Sequence, residues 1–199
     1  MALAAVRDKA PLQFFADGSA AGGKSTLVRD GDAGTVTSKI SAKNLSPGAV
    51  YTYWYVIFNN PELCSDGLCG EDDIFIGGNP ENGPNVAQIE AVGIAALGGN
   101  GEIANRGGNA TFTGGLIEGT TGGLNVLLGP GGLIDLGPGM LRVGNAMTAE
   151  IHIVLRNHGP PLTGADLWEQ LNTFVGNCIG FDADGTFQCM DEQFAIHLP

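Results

Sequence analysis

The sequence predicts an all-β fold, an antiparallel β-sandwich or barrel with long glycine-rich loops and one short helix. Three observations predict it. Side chains sort with period two, the repeat of a strand, by type over Val50–Phe58 and by polarity over residues 147–156. Backbone punctuators are dense, with 33 Gly and 10 Pro among 199 residues. Convincing helical spacing occurs once, over 163–175, where Leu167, Trp168, Leu171, Phe174 and Val175 form one stripe. The length suits one domain spanning 1–199, with residues 1–15 as an extended N-terminal segment.

The clearest strand is Val50–Phe58. One face carries Val50, Thr52, Trp54, Val56 and Phe58; the other carries Tyr51, Tyr53, Tyr55 and Ile57. A core sheet is expected to bury the Trp54 face and leave the tyrosine face partly wet, so Tyr51, Tyr53 and Tyr55 are candidates for stacking on a sugar or a flat ligand. In 147–156, Met147, Ala149, Ile151, Ile153 and Leu155 oppose Thr148, Glu150, His152, Val154 and Arg156. Further strands are expected over 11–15, 24–28, 35–42, 86–97, 110–116 and 193–198, separated by turns such as Asp30-Gly31-Asp32 and Ser46-Pro47-Gly48. In the helix, Thr163 is placed to cap the start and Gly176 to end it. Residues 98–144 hold 16 of the glycines and read as long loops and closely packed strands.

Charge and composition exclude several classes. The net charge is −12, and no basic block is present to hold nucleic acid or anionic lipid. No apolar run approaches the ~20 residues of a membrane-spanning helix. The opening Met1–Val6 is too short for a signal-peptide core, but Ala2–Ala5 resembles the small-residue tail of a cleavage site. A secreted protein whose leader has been removed is therefore expected. The four cysteines fit export. Three pairings are open to them, and Cys64–Cys69 with Cys178–Cys189 is the simplest because each pair brackets a turn.

Two metal readings follow from residue type. Fourteen of the 21 acids lie in two stretches without Lys or Arg. Asp66, Glu71, Asp72 and Asp73 cluster beside the first cysteine pair, and Asp182, Asp184, Asp191 and Glu192 beside the second. Oxygen donors in glycine-rich loops suit Ca²⁺. His152, His158 and His197 with Glu150 would suit Zn²⁺ or Cu²⁺ if the last two strands were neighbours. Known catalytic motifs are absent, and an enzyme is not expected. Gly18 to Ser25 matches a phosphate-loop pattern literally, but lacks the following helix.

The segment from Tyr51 to Asn59, Pro61 to Cys64, Cys69 to Asp72, Ala149 to Pro160 and Cys189 to His197 together resemble a family of secreted prokaryotic proteins without an assigned activity. The His158-Gly-Pro element is distantly similar to chordin-type (CHRD) domains. The resemblance implies an extracellular β-sandwich, immunoglobulin-like or CHRD-like, and carries no functional residues with it. The expected role is a binding or structural module of the cell surface or matrix, Ca²⁺-stabilised and self-associating by strand addition through Ala2–Phe15. The alternatives are a transition-metal protein and a glycan or small-ligand binder.

Overall fold

The computed structural model describes residues 4–122, 125–129, 132–174, 176, 178 and 189–199. Among them are strands β1 (Val6–Phe14), β2 (Ala20–Asp30), β3 (Thr35–Ala42), β4 (Val50–Phe58), β5 (Ile94–Ile103), β6 (Ala110–Ile117), β7 (Val126–Gly129), β8 (Gly132–Asp135), β9 (Glu150–Asn157) and β10 (Met190–His197). Helices are α1 (Glu71–Ile74), α2 (Val86–Val92) and α3 (Gly164–Asn172). Eight strands form one antiparallel sheet in the order β5-β4-β9-β10-β1-β2-β3-β6, and β7 and β8 form a separate hairpin. The two edge strands, β5 and β6, come together, so the sheet is nearly closed into a barrel. The all-β antiparallel class is therefore what the chain adopts, and the two walls that face each other belong to one curled sheet.

The core lies inside this curl. Tyr51, Tyr53, Tyr55 and Ile57 of β4 point inward with Ile151, Ile153 and Leu155 of β9, and they meet Leu27, Ile40 and Phe112 from the opposite wall. The expectation that the tyrosine face is partly wet is thus overturned, since Tyr51, Tyr53 and Tyr55 are fully buried, while Trp54 and Phe58 on the other face are buried as expected. The reason is space left by glycines on the neighbouring strands β5 and β6. A Cβ added at Gly99 of β5 would overlap the Tyr53 ring, and one at Gly114 of β6 would overlap its hydroxyl. An unpaired buried hydroxyl costs about 1–3 kcal/mol, and none of the three is left unpaired. Ser38 Oγ lies 2.7 Å from Tyr55 Oη and 3.2 Å from Tyr53 Oη, and the two phenols are 3.0 Å apart. Tyr51 Oη donates to Glu192 at 2.6 Å. Burial pushes all three hydroxyls above the ordinary phenol range.

Strands 35–42 and 50–58 have the expected bounds, and the segment expected as one strand over 86–97 splits. Gly93 adopts φ 70° and caps α2, after which β5 begins. The late helix is shorter than 163–175. Trp168 is exposed on it, and the residue it buries is Gln170, which donates to the His158 and Pro160 carbonyls. Val6–Phe14 lies within the chain's own sheet, paired with β2 and, at Gln13 and Phe14, with β10. The literal phosphate-loop match runs straight into β2.

Both local cysteine pairs are disulfides, Cys64–Cys69 and Cys178–Cys189. Among the described residues no helix is long and apolar enough to cross a membrane.

The barrel interior makes a specific coupling testable. Gly114→Ala is expected to cost about 1–3 kcal/mol by overpacking. The cost should shrink in a Tyr53→Phe background, where the overlapping oxygen is gone. Urea unfolding of the four proteins in the cycle measures it, and strictly additive losses would show that Gly114 does not make room for Tyr53.

Candidate functional site

The outer face of the sheet is where the fold leaves a concavity. Strand alternation sends Trp54, Val56 and Phe58 of β4, His152, Val154 and Arg156 of β9, and Phe194 and Ile196 of β10 outward together. A soluble sheet ordinarily makes such a face polar; this one is largely aromatic and aliphatic. Two coverings shield its ends. Residues Cys64 to Val92, with α1 and α2, pack on Phe58, Ile94 and Ala96, and Phe174 packs edge-on against Trp54 at 4.6 Å. Between them remains a groove of about 940 Å³, bounded by Phe15, Gly70, Glu71, Phe75 and Glu81.

Its polar groups are few and fixed. His152 donates from Nε2 to Glu150 Oε1 at 2.7 Å and packs on the Phe58 ring at 4.8 Å. The same carboxylate oxygen accepts from the Cys69 backbone N–H at 3.3 Å, tying the disulfide loop to the floor. Arg156 is almost completely buried and donates to both oxygens of Asp191, at 2.7 and 2.8 Å. Its guanidinium lies 3.7 Å from the centre of the Phe174 ring.

The three histidines do not assemble into one site. β9 and β10 are neighbours, but the register pairs His197 with Ile151 and places it on the inner face, whereas His152 is on the outer one. His197 Nδ1 donates to Asp8 Oδ2, and its Nε2 accepts from Ser25 Oγ at 2.9 Å. This is the hydrogen-bond order of a serine hydrolase triad, with the burial inverted. Ser25 is 0% exposed and Asp8 is the member that solvent reaches, at 35%. A nucleophile sealed inside the barrel cannot meet a substrate, so the set serves as a polar clamp across the adjacent strands β10, β1 and β2. Arg29 completes the clamp by donating to the carbonyls of Ala146, Ala149, His197 and Leu198.

His158 is held elsewhere again. Its Nδ1–H donates to the Gly176 carbonyl at 2.7 Å, so its Nε2 accepts from Thr52 Oγ1 at 2.7 Å, and Thr52 in turn accepts from Trp54 Nε1–H at 2.9 Å. Burial lowers its pKa from 6.5 to about 4. The sulfurs of Cys178 and Cys189 lie 3.5 Å from Nδ1, but they are bonded to each other.

The carboxylates expected to bind Ca²⁺ find protein donors. Asp73 is fully buried and accepts from Ser65 N, Ser65 Oγ and Gln88 Nε2 on one oxygen and from Gly70 N on the other. Asp72 accepts from Ser65 Oγ, and Asp66 closes a turn on Leu68 N. Asp191 is paired with Arg156, and Glu192 accepts from Tyr51 and Asn157. Glu71 faces the groove. Asp182 and Asp184 lie outside the described residues. His152, Glu71 and Asp191, singled out in the sequence as metal ligands, line the groove, whereas its apolar residues Val56, Val154, Phe194 and Ile196 were not singled out, their only sequence signal being the apolar faces of their strands.

No family model matches the chain, and neither a curated protein nor a solved structure matches it.

His158 gives this region a pH signature. Its folded pKa is depressed, so below pH 6.5 the unfolded chain binds a proton that the native state refuses until about pH 4. Stability is expected to fall across that window by up to about 1.4 kcal/mol per pH unit from this group. Urea midpoints measured from pH 7 to 4 should drop, and His158→Asn should flatten the slope by one proton's worth even where it lowers the baseline.

Proposed function

We propose that the protein is a secreted binding module that holds a small, largely apolar molecule in the groove on the outer face of β4, β9 and β10. The observation that supports this reading is the groove itself. Trp54, Phe58 and Phe174 are nearly buried by their neighbours, yet Val56, Val154, Phe194 and Ile196 remain half-covered around a concavity of ligand size. An apolar surface of this shape gains free energy when a ligand displaces its water. The His152–Glu150 and Arg156–Asp191 pairs supply a few directed polar atoms in an otherwise apolar wall, which is how binding sites orient what they hold. Secretion is supported by the two disulfides, which persist in oxidising surroundings.

The rigid sheet floor implies a site formed before the ligand arrives, and dye uptake tests it directly. Nile red, an uncharged fluorophore that brightens in apolar surroundings, is expected to bind once per chain. Ile196→Trp, which fills the groove from its floor, should weaken uptake at least tenfold while far-UV circular dichroism and the melting temperature stay close to the parent. Equal uptake by the two proteins would place the dye elsewhere and overturn the reading.

A further inference from the structure

We infer that the groove selects an organic cation with an apolar body, such as an aryl or short-alkyl quaternary ammonium. This rests on the groove being a binding site and adds the charge of what it holds. Two independent features of the lining point the same way.

The first is charge. Among the described residues the ionisable groups that line the groove are Glu71, Glu81, His152, Arg156 and Asp191. Arg156 and Asp191 neutralise each other through two hydrogen bonds, and His152 is engaged with Glu150 behind it. That leaves Glu71 and Glu81, both exposed on the same wall, with no basic residue between Asn44 and Asn105 to offset them. The net charge of −12 adds a field of the same sign. An anionic ligand would therefore meet repulsion at the mouth and no free cation inside.

The second is the aromatic wall. The faces of aromatic rings attract cations, and the molecule already uses one in this way, with the Arg156 guanidinium seated 3.7 Å from the Phe174 centroid. Phe75 and Phe194 line the same cavity. An ammonium group between these rings and the two glutamates is attracted by both, whereas a neutral isostere gains only the burial of its apolar surface.

The experiment displaces Nile red with three ligands of matched size: benzyltrimethylammonium, its uncharged carbon isostere neopentylbenzene, and the anion phenylmethanesulfonate. The cation is expected to compete about tenfold better than the neutral compound, and the anion worst. In a Glu71→Gln, Glu81→Gln protein the preference for the cation over its neutral isostere, each scored against that protein's own Nile red affinity, should fall severalfold. If the dye binds and the neutral compound or the anion competes as well as the cation, or if the preference survives in the double variant, the charge assignment is overturned and the groove reading stands. If no dye binds to the parent chain, the groove reading falls and this inference with it.

Discussion

The burial of β4 on its inner face is the constraint from which the rest of the structure follows. Three tyrosines in one strand, each 0% exposed, require room for their rings among the strands beside them. Gly99 and Gly114 supply the gap, and Ser38 supplies a small hydroxyl that joins two of the phenols. Glycine inside a strand ordinarily weakens it, by roughly 0.5–1 kcal/mol relative to Ala. Here the loss is offset by rings that fill the space its missing side chains leave. The rings thus fill the interior where β5 meets β6.

That choice of inside determines what lies outside. With tyrosines turned inward, Trp54, Val56 and Phe58 are forced outward, because successive residues of a strand alternate between faces. An apolar outer face needs covering, and the segments carrying α1, α2 and Phe174 provide it only in part. The groove is thus a by-product of core packing that the short coverings leave open. The Cys64–Cys69 bridge braces one of those coverings, since the Cys69 N–H reaches the Glu150 carboxylate on the sheet.

Much of this was legible in the sequence, and the parts that were not have physical reasons. Period-two patterning located β3 and β4 to the residue, and cysteine spacing gave both bridges. The inner face of β4 was not legible, because both faces are apolar and the deciding glycines lie on strands distant in sequence. The helix over Val86–Val92 was hidden by an apolar run that reads equally well as strand, cut only by the left-handed Gly93. The separation of His152 from His197 depends on a register shift between Asp191 and Gln193. A one-residue slip exchanges the faces of a strand, and pattern alone does not specify it. The Ser25, His197 and Asp8 cluster joins three residues from the two ends of the chain and leaves no local trace.

The place of β10 in the sheet has a consequence for biosynthesis. It lies between β9 and β1, so a strand late in the sequence joins the half of the sheet that holds β1, β2, β3 and β6 to the half that holds β9, β4 and β5. Its His197 and Leu198 carbonyls also accept from Arg29, near the start. A ribosome delivers residue 29 long before residue 197, and for all that time β1 lacks its second neighbour and Arg29 two of its acceptors. The sheet is therefore completed only once β10 has been made. Pairing across so long a stretch of sequence slows folding, and until it happens the open edge of β1 is available to wrong partners.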